Sequence, residues 1–285
     1  MLTLNKILVP VDFSPGSEGA ARHAVALARH FHSQVVLLHV QKPLTPVMGG
    51  IEGIYWAADP YDLSQREQEE LDSFLRAELQ DLCVRRVLLE GDPARRIVEF
   101  AREEKPDLIV LATHGYGIFR RFILGSVTAK ILHDTEFPVW TGVHLENAPA
   151  VEPLHIRLVL CAVDLSPHSR QTLCWAARLA SGFQARLGIV HATAPLEVSG
   201  GRYYSPDWRD LMIHIANDEI KKLQKESGTQ AEVYVTDGAA AKVVARAVDD
   251  LSADVLVIGR SPGDGRLRTN AYAIIRESPC PVISI

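Results

Sequence analysis

The chain has 285 residues, 47% hydrophobic and 23% charged, which suits about two domains, each able to close its own core. Its net charge of −5 leaves no clustered basic face for nucleic acid. Cys83, Cys161, Cys174 and Cys280 form no C-x-x-C pair, which excludes a zinc ribbon and a thioredoxin-like motif, and no apolar run reaches the length of a membrane span. The start, MLTLNKILVPVDFS, lacks a charged leader with a long apolar stretch, so a cytoplasmic location is expected.

In chain order, Ile7–Val11 is a short, almost wholly apolar run of the kind found in parallel sheets covered on both faces. Ser14-Pro15 supplies a helix N-cap and a first helical residue. Ala20, Ala21, Ala24, Val25, Leu27, Ala28 and Phe31 follow at helical spacing. Gln34–Val40 is the second strand, and 43–60 is a long Gly-rich connection. A charged helix is predicted over 61–80, with Leu71, Phe74, Leu75 and Leu79 inward. Val84–Glu90 is the third strand. Gly91-Asp92-Pro93 turns into a helix with Ile97, Val98, Phe100 and Ala101 as its buried stripe. Leu108–Thr113 and Pro138–Val143 are the fourth and fifth strands.

The chain then repeats itself. Lys6–Pro15 and Arg157–Pro167 share a basic residue, an apolar run and Val-Asp-x-Ser-Pro. Asp12 maps to Asp164, an offset of 164 − 12 = 152, and the same offset maps His39 to His191. Residues 106–112 echo 253–259, and Pro138-Val139 echoes Pro281-Val282. Parallel order over the whole length indicates a duplicated domain. Its third helix is predicted to start after Ser205-Pro206 and stop near Gly228. The expected organisation is a first domain over 1–146, a linker at 147–153 and a second domain over 154–285. Each domain is α/β, a doubly wound five-stranded parallel sheet whose ligand would sit at the carboxyl ends of the strands.

Three features of the first half reach that edge: Asp12, His39-Val40, and the stretch from His114 through Gly125-Ser126-Val127. Gly115 and Gly117 let the backbone turn closely and present N–H groups. Gly125-Ser126 opens a helix, where free N–H groups and the dipole favour an anion, and Ser126 adds a hydroxyl for a phosphate oxygen or a magnesium shell. Asp12 suits a ribose- or base-reading carboxylate, and the backbone at Val40 suits an adenine edge. Each residue also has a plainer reading. Asp12 and Asp164 serve equally as turn residues holding the following N–H groups, and the glycines as builders of a tight turn. His114 serves as a loop-fixing histidine, and Arg120 and Arg121 as solvated side chains. His23, His30 and His32 lack the spacing of a metal site. Neither G-x-x-x-x-G-K-[ST] nor G-x-G-x-x-G occurs, and no catalytic Ser-His-Asp or Cys-His set is identifiable.

ILVPVDFSP, VVLLHV, the G-D-P turn, DLIVLATHG, LGSV and FPV, in this order and in two copies, resemble the universal stress protein family over nearly the whole chain. The resemblance implies a five-stranded parallel sheet with flanking helices. It also implies ATP binding through G-x-x-G-x₉-G-[ST] in those members that carry the motif, and pairing through the last strands. The implied nucleotide set is Pro10, Val11, Asp12, Val40, Thr113, His114, Gly115, Gly117, Gly125, Ser126 and Val127. Its ligand would be ATP or AMP, with Mg²⁺ as a companion ion. Ile118 stands where the motif, started at Gly115, expects glycine, and Gly117 lies one residue early.

In the second half Asp164 is kept, but the loop from Gly259 is shorter, holds Asp264 and lacks Gly-Ser, so weak or absent ATP binding is expected. Arg260, Arg266 and Arg268 remain as candidates for a smaller anion, and Thr269 as a helix cap. The expected partners are the nucleotide, an internal pairing of the two halves, a further homodimer and an unidentified protein, with no nucleic acid and no membrane. The leading expectation is a nucleotide-binding stress or signalling protein without efficient catalysis. A non-nucleotide scaffold that uses Met48, Ile51, Ile54, Tyr55 and Trp56, and a slow ATPase, are its rivals.

Overall fold

The computed structural model describes residues 2–43, 47–49, 53–55, 60–113, 124–142, 153–193, 206–260 and 269–285. The first half runs β1 (Lys6–Val11), α1 (Pro15–Phe31), β2 (Gln34–Gln41), β3 (Val47–Gly49), β4 (Gly53–Tyr55), α2 (Pro60–Ser73), β5 (Val84–Glu90), α3 (Pro93–Glu104), β6 (Leu108–Ala112), α4 (Ser126–Asp134) and β7 (Val139–Gly142). The second runs β8 (Leu158–Ala162), α5 (Ser169–Phe183), β9 (Arg186–Thr193), α6 (Pro206–Ser227), β10 (Glu232–Asp237), α7 (Ala240–Leu251), β11 (Val255–Ile258), α8 (Thr269–Glu277) and β12 (Val282–Ser284). The helix after Ser205-Pro206 is α6, the second of its half rather than the third, and Gly228 closes it at φ +65°.

The ten long strands form one sheet in the order β10-β9-β8-β11-β12-β7-β6-β1-β2-β5. Within each half all pairs of this sheet are parallel. The halves meet through β7 and β12, which pair antiparallel with Trp140 opposite Ile283. The two five-stranded sheets are therefore one continuous sheet. Strands wholly buried on both faces explain the unbroken apolar runs. Helices α1, α2, α5 and α6 pack on one face, and α3, α4, α7 and α8 on the other. Both core layers draw residues from both halves.

Local signals set most helix ends. The Ser14 hydroxyl accepts from Ser17 N, and the Asp92 carboxylate accepts from Arg95 N. Two expectations need correction. The connection predicted over 43–60 contains the two-stranded hairpin β3-β4. Helix α2 ends at Ser73 rather than 80, because Arg86 donates to the carbonyls of Leu71 and Phe74 and Leu75 turns left-handed at φ 47°. Leu71, Leu75 and Leu79 are nonetheless buried, the last two from the turns that follow. In the second half α5 begins at Ser169, whose hydroxyl donates to Asp164.

A second junction between halves lies where α1 and α5 end. Phe31 and Phe183, related by the 152-residue repeat (183 − 31), meet edge to face at 5.3 Å. His30 stacks on Phe183 at 4.1 Å, and its Nε2 approaches the Gly182 carbonyl at 2.9 Å. Cys161 is buried, and burial pushes its thiol up. Among the described residues no helix is long and apolar enough to cross a membrane.

Two measurements test this packing. A Cβ at Gly182 would stand 3.1 Å from the Phe31 ring. Gly182→Val is therefore expected to lower stability by about 1–3 kcal/mol in chemical denaturation. His23 lies edge to face on the buried Trp140, at 6.0 Å, and burial lowers its pKa below the ordinary 6.5. The unfolded chain then takes up this proton first as pH falls, so stability drops from pH 6.5 downward. His23→Leu is expected to show a smaller loss of melting temperature than the parent chain between about pH 7.5 and 5.5.

Candidate functional site

In the first half the chain leaves β1 to one side and β6 to the other, so a crevice opens beyond their carboxyl ends. It forms a cavity of about 540 Å³. Pro10, Val11 and Asp12 line one side, Val40 and Lys42 another, and Gly125, Ser126 and Val127 the far end, while Leu38, Ile97 and Leu111 make it apolar inside.

Asp12 holds the turn after β1. Its Oδ1 accepts from the backbone N and the hydroxyl of Ser14, and Phe13 is left-handed at φ 60°. That strain on a bulky residue is held by its ring, which lies 4.4 Å from His39 and 5.7 Å from Phe74. The plainer reading of Asp12 as a turn residue is thus real, and the residue lines the cavity as well. Asp164 does the same in the second half: it accepts from Ser166 N and the Ser169 hydroxyl, beside Leu165 at φ 58°.

The end of β2 is set by register. Gln34 donates toward β1 and Val35 toward β5, so even-numbered residues of β2 turn their backbone groups to the β1 side. The β1 ladder stops at Val11 opposite His39. By the same register the Val40 N–H meets the Val11 carbonyl at this last rung, and the Val40 carbonyl points past the end of β1, toward the crevice. His39 donates Nδ1–H to the Val11 carbonyl at 2.7 Å, and its Nε2 lies 3.3 Å from Glu67 of α2.

The far end is built by α4. The Gly125 N–H donates to the Thr113 carbonyl at 2.9 Å, and the Thr128 hydroxyl donates to the Ala112 carbonyl, so the chain returns onto the end of β6. Gly125 is the N-cap and makes no side-chain capping bond, which leaves the first amides of α4 available at the cavity. Thr113 is buried, and its hydroxyl donates to the Gly142 carbonyl.

The structure thus brings Pro10, Val11, Asp12, Val40, Gly125, Ser126 and Val127 to one cavity and sets Thr113 beneath it. His114, Gly115, Gly117, Ile118, Arg120 and Arg121 lie outside the described residues, as do residues 146–152 of the linker region and Asp264, Arg266 and Arg268. So do Ile51 and Trp56, while Met48, Ile54 and Tyr55 fall on the backbone of β3 and β4. The alignment of the glycine motif through Ile118 needs revision. Nine residues, 116–124, separate Gly115 from Gly125-Ser126, so Gly115 takes the second glycine position and the first falls on Ala112, the last residue of β6. Sequence reasoning missed two charged residues of the lining, Lys42 and Glu67. Lys42 directly follows β2 and was findable as the first residue beyond a strand; Glu67 is one acid among many on α2 and carries no local signal.

The matching crevice of the second half encloses only about 180 Å³ and is lined by Asp164, His168, Ser169, His191, Gly259 and Arg260 among others. Arg260 does not offer its charge to an anion there. Its guanidinium donates to the carbonyls of Leu132, Thr135 and Phe137 around the C-terminus of α4, in the other half. Burial pushes this arginine down to about 10. Thr269 is the first described residue of α8. Among the described residues no group of three or more His, Cys, Asp or Glu is placed to hold a metal ion.

The family model for universal stress proteins matches residues 3–141 and again 155–285. A universal stress protein of Methanocaldococcus jannaschii is 35% identical over 135 residues, which is 47% of this chain and 79% of that one. A universal stress protein of Mycobacterium bovis is 28% identical over 210 residues, 71% of this chain and 68% of that one. The crystal structure of a universal stress protein from Archaeoglobus fulgidus superimposes with a TM-score of 0.68 at 19% identity, covering 99% of this chain and 96% of that one, a likeness of fold. With the duplicated sequence, the doubly wound sheet and two matches that together span almost the whole length, the chain belongs to the universal stress protein family as a tandem pair of its domains.

Proposed function

We propose that the first half binds an adenine nucleotide, ATP or AMP with Mg²⁺ as companion ion, and that the protein acts in stress response or signalling without efficient catalysis. The observation that carries this reading is the cavity of about 540 Å³ with the glycine-capped N-terminus of α4 at one end and the outward carbonyl of Val40 at the other. A helix start favours phosphate through its free amides and dipole, and Lys42 adds a positive charge at the rim. The apolar walls between Leu38, Ile97 and Leu111 suit a flat base, whose edge would meet the backbone of Val40. Asp12 would take the ribose or the metal ion. Asp12 is tied to Ser14, and His39 to Val11 and Glu67, which favours holding a nucleotide over turning it over. The second half, with about 180 Å³ and Arg260 turned away, serves as structural partner in an internal pseudo-dimer.

A second reading, a partner-binding scaffold, is favoured by Trp208, Leu211 and Ile215, large apolar residues exposed at helical spacing on α6.

The deciding measurement is calorimetric titration of refolded, ligand-free protein with ATP and magnesium. Binding near one equivalent per chain is expected. ATP at about 100 times its dissociation constant should then add about 2.7 kcal/mol to stability. Ser126→Asp is expected to weaken ATP binding by about tenfold or more, because a carboxylate in the first turn repels phosphate while it suits the helix dipole. Its melting temperature without ligand should match or exceed that of the parent chain. No binding by the parent chain would overturn the nucleotide reading and leave the scaffold.

A further inference from the structure

Helix α4 has nine residues and is held at both ends. At its start the Gly125 N–H meets the Thr113 carbonyl and the Thr128 hydroxyl meets the Ala112 carbonyl, which fixes the edge of the first-half cavity. At its end the carbonyls of Leu132, Thr135 and Phe137 converge on the guanidinium of Arg260. Arg260 comes from the other half of the chain. It directly follows Gly259 at the end of β11, and its own N–H donates to the carbonyl of Ile285 beside β12, so its backbone is anchored to the sheet. A second contact from the same half reaches the middle of the helix: the Tyr272 hydroxyl of α8 donates to the Ala129 carbonyl at 3.2 Å.

The arrangement is asymmetric. Counting from Asp107 and Asp254, an offset of 254 − 107 = 147, the first-half counterpart of Arg260 is Thr113. The Thr113 hydroxyl bonds to Gly142 within its own half. Arg260 instead crosses the β7–β12 seam and leaves its own crevice small. A guanidinium at the carboxyl end of a helix and an anion at the amino end satisfy the same dipole, and a short helix moves as one body. The place of the Gly125–Ser126 end thus depends on a residue of the second half.

We propose that Arg260 is a positioning residue for the first-half nucleotide site: by gripping the C-terminus of α4 it sets the phosphate end of the cavity. The second half then serves the first as the part that aligns it. This rests on the nucleotide reading above, and the test separates the two.

The test is titration of the full chain with ATP and with adenosine, which carries no phosphate, for the parent, Arg260→Met, Arg260→Lys and Tyr272→Phe. Arg260→Met is expected to weaken ATP by about tenfold, within the usual range of coupling between sites, and to leave adenosine unchanged. Arg260→Lys should recover part of the loss, because an ammonium keeps the charge at the helix end without the forked grip. Tyr272→Phe should shift ATP in the same direction by less. If Arg260→Met does not fold, the other two variants decide by the same ATP-against-adenosine difference. ATP affinity equal to the parent, or equal losses for ATP and adenosine, would overturn the proposal. A parent chain that binds neither ligand would instead remove the nucleotide reading, and the positioning role with it.

Discussion

The antiparallel pairing of β7 with β12 is the interaction on which the rest of the molecule depends. A five-stranded parallel sheet has two edges, and each exposed edge is a row of unpaired donors and acceptors. Here each half covers one edge with the other half's last strand. Thr141 adds a side-chain bond to the Val282 carbonyl across the seam, and Trp140 and Ile283 are wholly buried there. The outer edges β5 and β10 are only half-buried, and β5 carries Arg85 and Arg86. Arg85 is paired with Glu104 at 2.7 Å, a partner that also holds Lys6. Charge on an outer edge discourages further pairing. Because the seam fixes the halves edge to edge, α1 meets α5 through Phe31 and Phe183, and α4 meets α8 through Tyr272.

Both halves thread the same path, and both strain the residue after their first strand, Phe13 and Leu165. Two crevices follow from one topology. They differ because of what comes after the fourth strand of each half. In the first, a glycine N-cap leaves the start of α4 open toward the cavity. In the second, the residue that matches Thr113 is an arginine whose charge is spent on backbone carbonyls across the seam. A guanidinium that is buried needs several acceptors, and the end of a helix supplies them. The loss of one crevice and the support of the other are thus one structural event.

Much of this was legible residue by residue. The burial of the Ile7–Val11 and Leu108–Ala112 runs, the Ser14 and Asp92 caps, and the meeting of Asp12, Val40 and Gly125–Ser126 at one edge follow from local pattern and chain order. Other features were not, and for physical reasons. The early end of α2 needs Arg86, thirteen residues beyond Ser73 on a neighbouring strand. Glu67 becomes a cavity residue only because α2 lies over the end of β2. The glycine motif was misread by one position of its pattern, through Ile118 instead of Ala112, because a loop with several glycines offers more than one starting point.

By itself the sequence determined the class of fold, its duplication and the order of its elements. Those depend on hydrophobic period, turn chemistry and repetition, which are properties of neighbours along the chain. Only the tertiary structure decided that the two sheets are one, that one crevice is three times the other, and that Arg260 bonds to the half it does not belong to. These depend on contacts between residues more than a hundred positions apart, such as Arg260 with Leu132 and Thr141 with Val282, for which no local pattern codes.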